Sequence, residues 1–433
     1  MVRINDLGLT PREKLSYKLH TIYMVLEGVI LGILVLNEFV FIKGLLGSNY
    51  QMSFLFIFSM AVYIFLILIN EFLKRVKNRK QLLRITGIIT RGVLLLLFFF
   101  PDNTQELIDA GYYHYIFLAI FFVYYFGNTI INPSINYILK KNYKHENFGK
   151  LYSYSTSLNK IVMLVSTFIY GILLDIDPFV FRHVFPIAAV LGIVSLFTLT
   201  AIPYKEKFEI VKPQPVLQSI RNSIKDMSNI ITKNHTYRHF QIGFMLYGFA
   251  FMISYTVITI FFYKELNLNY SSVAFYRNAY NVLAIVILPF FGKLLGDIDP
   301  RRFAIYTYAS IALYILMLAI TKYVPYSFDV LGVTIYYTLI LYILAHGVFA
   351  ATMVLLWNIG SAYFCKPEEA GSYQSVHLVL TGMRSLVSPL LGVVFYEAFG
   401  FTVTFFIAIA SLIIGMIIMK WSYTKYPTVE IQA

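Results

Sequence analysis

Continuous apolar segments, each long enough to cross a lipid bilayer, recur twelve times along the chain. A hydrocarbon core of about 30 Å needs roughly 20 helical residues per crossing. Because lipid offers the backbone no hydrogen-bond partners, and because apolar positions are continuous and do not alternate, the segments predict helices. The predicted spans are 17–42, 50–73, 82–100, 111–136, 151–174, 180–203, 240–263, 271–295, 303–322, 334–358, 373–396 and 402–421.

A long polar interval, residues 204–239, leaves six predicted spans on each side. Within it, apolar residues recur every three or four positions, which indicates an amphipathic helix on the inner membrane face, with a solvated linker helix as the alternative. These positions are Leu217, Ile220, Ile224, Met227 and Ile231. The pattern predicts an all-α membrane protein with an N-terminal six-helix bundle (1–203), a cytoplasmic linker (204–239) and a C-terminal six-helix bundle (240–433).

The first span begins with a clear helix start. Thr10, Pro11 and Glu13 match a capping box with proline in the first turn. Because this start leads directly into the first apolar segment, we expect that segment to stay in the mature protein and not to be a cleaved leader.

Basic residues crowd into every second connection, which predicts the orientation of the chain. Lys and Arg are frequent before the first span and after the second, fourth and sixth, whereas the charged residues of the third connection are all acidic: Asp102, Glu106 and Asp109. Short loops rich in Lys and Arg resist translocation, so both termini are predicted to be cytoplasmic, in a membrane of the bacterial inner type. The net charge of +13 then belongs to the inner surface and does not indicate nucleic-acid binding.

Composition excludes several classes of protein. Hydrophobic residues make up 58% of the chain and charged residues 13%, which is outside the range of water-soluble globular proteins. With one cysteine, Cys365, no internal disulfide can form, and the sequence shows no cluster of metal ligands. It also shows no glycine-rich phosphate loop and no nucleophile and base at informative spacing. We therefore expect no enzyme activity, no metal and no cofactor.

Two connections at the predicted inner side carry related sequences. GKLLGDIDPRR at 292–302 follows span eight, and NEFLKRVKNRK at 70–80 follows span two. They resemble the signature loop of the major facilitator superfamily, which reads G-x-L-x-D-R-x-G-R-R after spans two and eight. Gly292, Leu294, Arg301 and Arg302 match, and the acid is displaced to Asp297. In the first copy only three basic residues remain, at Arg75, Arg79 and Lys80.

The resemblance implies a secondary active transporter with two pseudo-symmetric six-helix bundles that rock about a site at the membrane midplane. It also implies a gating role for the signature loops, in which the glycine permits close helix approach, the acid caps a helix and the basic pair latches the bundles. Similar to the family as well are Pro133 in span four, Gly149 and Lys150 before span five, and the segment 234–240 that enters span seven.

Charged residues within the spans are the candidate functional groups. An ionised side chain at mid-bilayer costs about 2.5–3.5 kcal/mol on insertion scales, so such residues usually face a bundle interior or an aqueous cavity. The candidates are Glu27, Arg91, Lys160, Arg277 and Arg384, with Glu38 nearer the outer end of span one. Glu27 and Arg91 lie at matching depth, which predicts a structural ion pair.

The remaining cations favour a negatively charged solute. The family arrangement implies that Lys160, Arg277 and Arg384 look into the central cavity, and a positive, partly dehydrated site binds carboxylates or phosphate esters through charge-assisted hydrogen bonds. Polar and aromatic residues of the cavity helices complete the predicted substrate site: Asn128, Tyr255, His346 and Trp357. Ordinary helix packing is the alternative for each aromatic residue.

With no ATP-binding loop, an ion gradient is the expected energy source, and the predicted proton carriers are Glu27, Glu38 and His377. The sequence therefore predicts a secondary active transporter that moves a small organic solute, with an anion favoured and protons as the coupling ion. The expected partners are that solute, protons and the lipid bilayer, and a monomer is expected. Two alternatives remain: an exporter of amphipathic or lipid-like compounds, and a transport-inactive membrane sensor or assembly protein.

Overall fold

The computed structural model describes residues 8–65, 68–69, 72–73, 76, 78–143, 145–203, 215–366 and 369–427 of the chain. In chain order, the principal helices of these residues are α1 (Pro11–Leu34), α2 (Asn49–Ala61), α3 (Arg79–Gly92), α4 (Tyr113–Asn142), α5 (His145–Ile176), α6 (Phe181–Ala201), the linker helix (Val216–Lys233), α7 (His235–Ile260), α8 (Tyr270–Asp297), α9 (Pro300–Thr321), α10 (Tyr337–Ile359), α11 (Ala370–Ser385) and α12 (Ser388–Lys425). The linker helix confirms the helix predicted within the polar interval.

Several principal helices continue as tighter or wider turns. A short helix, Asn37–Phe39, and a π-helical turn, Val40–Gly44, extend the first span beyond α1. Further 3-10 or π turns follow α2, α3, α7 and α10, at Val62–Phe65, Val93–Phe99, Phe261–Glu265 and Gly360–Phe364. A separate short helix, Thr104–Ala110, precedes α4.

Ten ranges of the described residues are long and apolar enough to cross a membrane. The second predicted span is represented by a shorter apolar helix, Asn49–Phe65. The last range, Ser372–Lys425, contains Gly400, whose φ of 75° and ψ of 172° are not helical and divide it in two. These helices confirm an all-α membrane fold and are consistent with twelve crossings.

The chain divides into two compact units, Met1–Gly47 with Phe65–Val216, and Ser48–Ile64 with Leu217–Ala433. The sequence places the second span in the N-terminal bundle, whereas this division groups 48–64 with the second unit. The reason is the packing of α2 against α7, α11 and α12. For example, Asn49 donates a hydrogen bond to Glu397, and the Phe56 and Tyr255 rings meet edge to face at 5.3 Å.

The start of α1 confirms the predicted capping box. The Thr10 hydroxyl accepts a hydrogen bond from the Glu13 backbone at 3.2 Å, and the Glu13 carboxylate accepts one from the Thr10 backbone at 3.1 Å. These two bonds satisfy backbone donors that a helix start otherwise leaves unpaired.

In the first unit, α1 and α5 lie in close contact through glycine. A Cβ at Gly28 would lie 2.7 Å from the Asn159 carbonyl oxygen, and one at Gly32 would lie 2.6 Å from the Met163 carbonyl oxygen. The approach also lets the Thr167 hydroxyl donate to the Gly32 carbonyl at 2.8 Å. Small residues four apart thus allow the backbones to meet, as is common between membrane helices.

In the second unit, an antiparallel hairpin joins α9 to α10. Its strands are β1 (Ser327–Val330) and β2 (Val333–Tyr336), with Ser327 opposite Tyr336 and Val330 opposite Val333. The sequence predicts a tenth span that begins at 334, and α10 begins at Tyr337, because strand pairing holds the backbone extended until Tyr336.

Candidate functional site

Glu27 and Arg91 form a buried ion pair in the first unit. Nη2 of Arg91 lies 3.5 Å from Oε2 of Glu27 and donates to Oδ1 of Asn128 at 3.4 Å. The Ser195 hydroxyl donates to Oε1 of Glu27 at 2.6 Å, and the guanidinium lies 4.2 Å from the centre of the Tyr124 ring. The pair and its hydrogen bonds therefore join α1, α3, α4 and α6. Asn128, which was predicted to bind substrate, accepts a hydrogen bond from Arg91 in this structure.

The sequence predicted the charged partner of Arg91 but not its uncharged neighbours. Ser195 and Tyr124 carry no charge, so nothing in the pattern marks them as partners. Gly192 leaves room for the Arg91 side chain, since a Cβ there would lie 3.0 Å from its Cγ. Nε and Nη1 of Arg91 have no hydrogen-bond partner among the described residues.

The other predicted functional residues of the first unit, Lys160 and Glu38, are less buried than Glu27 and Arg91. Lys160 lies half-buried on α5, and no acidic group of the described residues is within ion-pair distance of it. Glu38 is half-buried in the short helix Asn37–Phe39.

Arg384 of the second unit lies against a glycine of the neighbouring helix. Its Nη1 donates to the Phe244 carbonyl at 2.6 Å, and its guanidinium lies 5.9 Å from the centre of the Tyr247 ring. A Cβ at Gly248 would fall 1.7 Å from Cζ of Arg384. The guanidinium therefore occupies the space that any larger residue would fill on that face of α7.

His377 packs against Phe244, the residue whose carbonyl binds Arg384, and Trp357 packs against His377. The His377 ring packs edge to face against Phe244 at 4.4 Å and against Trp357 at 5.0 Å, and its Nδ1 lies 3.3 Å from Oε1 of Gln241. Three buried polar atoms of this cluster have no protein partner among the described residues: Nε of Arg384, Nε2 of His377 and Nε2 of Gln241. Buried polar atoms in that condition usually bind water or a ligand.

Arg277, Tyr255 and His346 form a second cluster in the same unit. The Arg277 guanidinium lies 4.4 Å from the centre of the Tyr255 ring and donates to the Thr259 hydroxyl. His346 is stacked between Tyr280, at 3.6 Å, and Tyr314, at 4.4 Å. Its Nδ1 lies 2.9 Å from the Tyr342 hydroxyl. The structure thus places His346 in an aromatic stack that the sequence did not indicate.

Arg301, a predicted gating residue, is fully buried and has five hydrogen bonds, one for each of its N–H groups. Nε and Nη2 donate to the Asp299 carboxylate at 3.0 and 2.8 Å. The acceptors of the remaining three are the Ser422 carbonyl, the Ser422 hydroxyl and the Tyr426 carbonyl. Arg301 therefore binds the start of α9 to the end of α12.

The structure corrects the choice of acid in this loop. Asp297 is exposed, whereas Asp299 caps α9 by accepting from the Arg301 backbone at 2.8 Å. Arg302 is exposed beside its buried neighbour. Among the described residues, no atom of a neighbouring helix lies within 4 Å of the position that a Cβ at Gly292 would take, so this glycine does not serve a close helix contact within the second unit.

In the first signature loop, Lys80 also has a partner within its own unit. Its Nζ donates to the Ile202 carbonyl at 2.8 Å, at the end of α6, where the helix dipole favours a cation. Nη2 of Arg79 lies 3.5 Å from the Leu73 carbonyl oxygen. Arg75 lies outside the described residues.

Solved structures with this fold are transporters of several different solutes. The nucleoside transporter NupG, in a mutant form, has a TM-score of 0.70 at 12% identity, covering 95% of this chain and 100% of that one. A POT family transporter in complex with 5-aminolevulinic acid has a TM-score of 0.69 at 10% identity, covering 97% and 98%. The xylose transporter XylE from E. coli has a TM-score of 0.60 at 14% identity, covering 97% and 100%. At these identities the likeness shows the fold alone.

A search of the curated proteins finds no match. The family model of the Major Facilitator Superfamily, however, matches residues 21–335 and 242–432, which together span nearly the whole chain. This match confirms the resemblance carried by the signature loop. The chain belongs to the major facilitator superfamily.

Proposed function

We propose that this protein is a secondary transporter of a small organic anion, that it works by alternating access, and that Arg384 is the main anion-binding group. The observation that carries the proposal is the state of the Arg384 side chain. It is 7% exposed, and no acidic side chain of the described residues lies within ion-pair distance of it. A buried cation without a counter-ion is costly, and an anionic solute would offset that cost.

The hydrogen-bonding capacity of Arg384 supports the same assignment. One of its nitrogens donates to a carbonyl and another, Nε, has no partner among the described residues. A carboxylate or phosphate accepts two parallel bonds from a guanidinium, a geometry that a lysine cannot reproduce. Nε2 of the Gln241 amide adds a buried donor without a partner in this part of the structure. Together they suit a solute with several acceptor oxygens.

Fold alone does not choose the substrate, because the solved neighbours include transporters named for a nucleoside and for xylose. The proposal therefore rests on the charged side chains of this chain. Lys160 is a second candidate contact, since it is half-buried and has no acidic partner among the described residues.

Replacing Arg384 by glutamine should reduce anion uptake about tenfold to a hundredfold, because one charge-assisted hydrogen bond is worth about 1.5–3 kcal/mol. The measurement is uptake of a labelled panel of carboxylates and phosphate esters into proteoliposomes. Arg221→Gln, which removes an exposed arginine of the linker helix, is the matched control and should transport at the parent rate. Parent-like kinetics in Arg384→Gln for every transported anion would contradict the proposal.

We also propose that protons drive accumulation and that Glu27 is a carrier. Its carboxylate accepts from Arg91 and Ser195 within the first unit, so gain or loss of a proton would change the bonds that join α1, α3 and α6. A carrier in this position would link protonation to helix packing.

Glu27→Gln is expected to abolish pH-driven accumulation while exchange across the membrane continues, because glutamine keeps the shape of glutamate but cannot carry a proton. Both rates are measured in proteoliposomes, with and without a pH gradient. The variant also leaves Arg91 buried without its counter-ion, which is destabilising. Folding must therefore be controlled separately.

The double variant Glu27→Gln with Arg91→Gln supplies that control, because it removes both charges together. If Glu27 carries protons, the double variant still fails to accumulate solute against a pH gradient. Recovery of accumulation in the double variant would show that the ion pair is only structural and would refute the assignment.

A further inference from the structure

The hairpin between α9 and α10 is hydrogen-bonded to the first turns of α8. Each bond joins a side chain of the α8 region to the backbone of β2 or of the turn, so the strand cannot shift without breaking several hydrogen bonds. The bonds are Asn269 Nδ2 to the Gly332 carbonyl (2.8 Å), Thr334 N to the Ser272 hydroxyl (2.9 Å), the Tyr276 hydroxyl to the Thr334 carbonyl (3.0 Å) and Tyr336 N to the Tyr276 hydroxyl (2.9 Å).

These bonds place the hairpin at the level where a membrane span begins. Asn269, which binds the turn, directly precedes the apolar helix Tyr270–Asp297. Tyr276, which binds the base of the hairpin, lies about 9 Å along α8 from its first residue, Tyr270, at 1.5 Å per residue. The tip of the hairpin is therefore level with the first residue of α8 and does not extend beyond it. The 28 residues of α8 are about 42 Å long, close to the thickness of a bilayer with its head groups, so the hairpin lies between the outer edge of the head groups and the hydrocarbon.

The outward side of the hairpin is apolar and aromatic. All four residues of β1 are exposed, Leu331 in the turn is 95% exposed, and Tyr326 just before β1 is 71% exposed. The segment 323–337 contains four tyrosines and a single charged residue, Asp329. The Asp329 carboxylate accepts a hydrogen bond from the Thr334 hydroxyl at 2.7 Å. Little charge thus opposes contact with lipid.

The turn itself holds a leucine in an unfavourable backbone conformation. Leu331 has a φ of 50° and Gly332 a φ of 78°. Two-residue hairpin turns with positive φ at both positions favour Asn, Asp or Gly, because a larger side chain crowds the backbone there. A leucine that is strained and touches almost nothing in its own chain is best accounted for by an apolar environment outside the protein.

We propose that this hairpin is an interfacial anchor. Leu331 and the exposed face of β1 insert at the boundary between head groups and acyl chains, in the leaflet on the side where α8 begins. The charge pattern predicts that this is the outer leaflet. Tyrosines are enriched at this level because the ring lies in apolar surroundings while the hydroxyl stays among polar groups. The occupant of the surface is thus lipid, and the depth of the tip favours lipid over a partner protein.

The test uses spin labels in proteoliposomes of phosphatidylcholine and phosphatidylglycerol. Cys365 is first replaced by serine, although burial, together with Glu369, raises the pKa of its thiol to about 11 and slows its labelling. Nitroxides are then attached at Leu331→Cys and, separately, at Tyr326→Cys, which leaves the turn unchanged. Collisions with oxygen, which concentrates in lipid, are compared with collisions with a water-soluble nickel chelate. Gln105→Cys, on the exposed polar helix Thr104–Ala110, is the control.

At positions 331 and 326, oxygen collisions should exceed nickel collisions severalfold, and at position 105 the order should reverse. Nickel access at both hairpin positions equal to that at position 105 would place the hairpin in water and overturn the proposal. Low access to both reagents would show that a protein, including a second copy of this chain, covers the hairpin. That result would also overturn it.

Discussion

Replacing Arg301 by alanine is expected to destabilise the protein by about 3–5 kcal/mol, because removing one partner of a buried ion pair leaves the other charge uncompensated. The substitution removes all five hydrogen bonds of the guanidinium, to Asp299, Ser422 and Tyr426. The start of α9 would then lose its attachment to the end of α12. The measurement is the free energy of unfolding, or the melting temperature, of the detergent-solubilised protein.

The adjacent arginine provides a matched control. Arg302 is exposed, so Arg302→Ala should change stability by no more than about 0.5 kcal/mol. Arg301→Lys should fall between the two, since an ammonium group keeps the charge but has three donors in place of five. Equal stability of Arg301→Ala and Arg302→Ala would show that the buried network does not hold the second unit together.

Replacing Gly248 by alanine is expected to reduce anion uptake about tenfold or more while the protein still folds. The new methyl group would fall 1.7 Å from Cζ of Arg384, so the guanidinium must leave the Phe244 carbonyl. Loss of a charge-assisted hydrogen bond of about 1.5–3 kcal/mol sets the size of the effect. Folding is spared because the displaced group is the end of a flexible side chain, and because alanine favours helix by about 1 kcal/mol over glycine. Uptake into proteoliposomes and thermal unfolding are measured together.

Two further variants separate displacement of Arg384 from general damage. Gly392→Ala would place a methyl group 2.6 Å from the Ile253 carbonyl oxygen, and because backbone cannot move aside cheaply, this variant should lose stability. In an Arg384→Gln background, Gly248→Ala should reduce uptake little further, since both changes act on the same contact. Additive losses in the double variant would contradict a positioning role for Gly248.

Helices were the most predictable part of this protein, because lipid imposes one length and one secondary structure on every span. The capping box at Thr10 and Glu13 and the helix within the polar interval were confirmed for a different reason, which is that both are local sequence patterns. The structure divides the spans less simply than the sequence indicates. Chain order suggested that the second span belongs to the first bundle, but α2 packs on helices that follow it by about 200 residues or more.

The hairpin was missed because its apolar strand β2 continues without a break into α10. Alternation in SFDV and VTIY, on either side of Leu331 and Gly332, was the available signal. A period of two over so few residues is easily read as the start of an apolar span.

The charged residues could be found from the sequence, but their partners could not. Glu27 and Arg91 were paired because both carry charge at one depth, whereas Ser195, Tyr124 and Gly192 have no pattern of their own. In the signature loop, the acid of the motif was assigned to Asp297, the acid nearest the motif position. Only the structure shows that Asp299 both caps α9 and binds Arg301.

The acceptors of Arg301 set a limit on how this polypeptide can be shortened or extended. Its guanidinium binds the Ser422 and Tyr426 carbonyl oxygens, so the closing turn of α12 belongs to the fold as much as the core does. Affinity tags and fluorescent fusions joined beyond Tyr426 leave those acceptors in place. Deletions that reach back past Ser422 remove them and leave the buried Arg301 guanidinium without these acceptors.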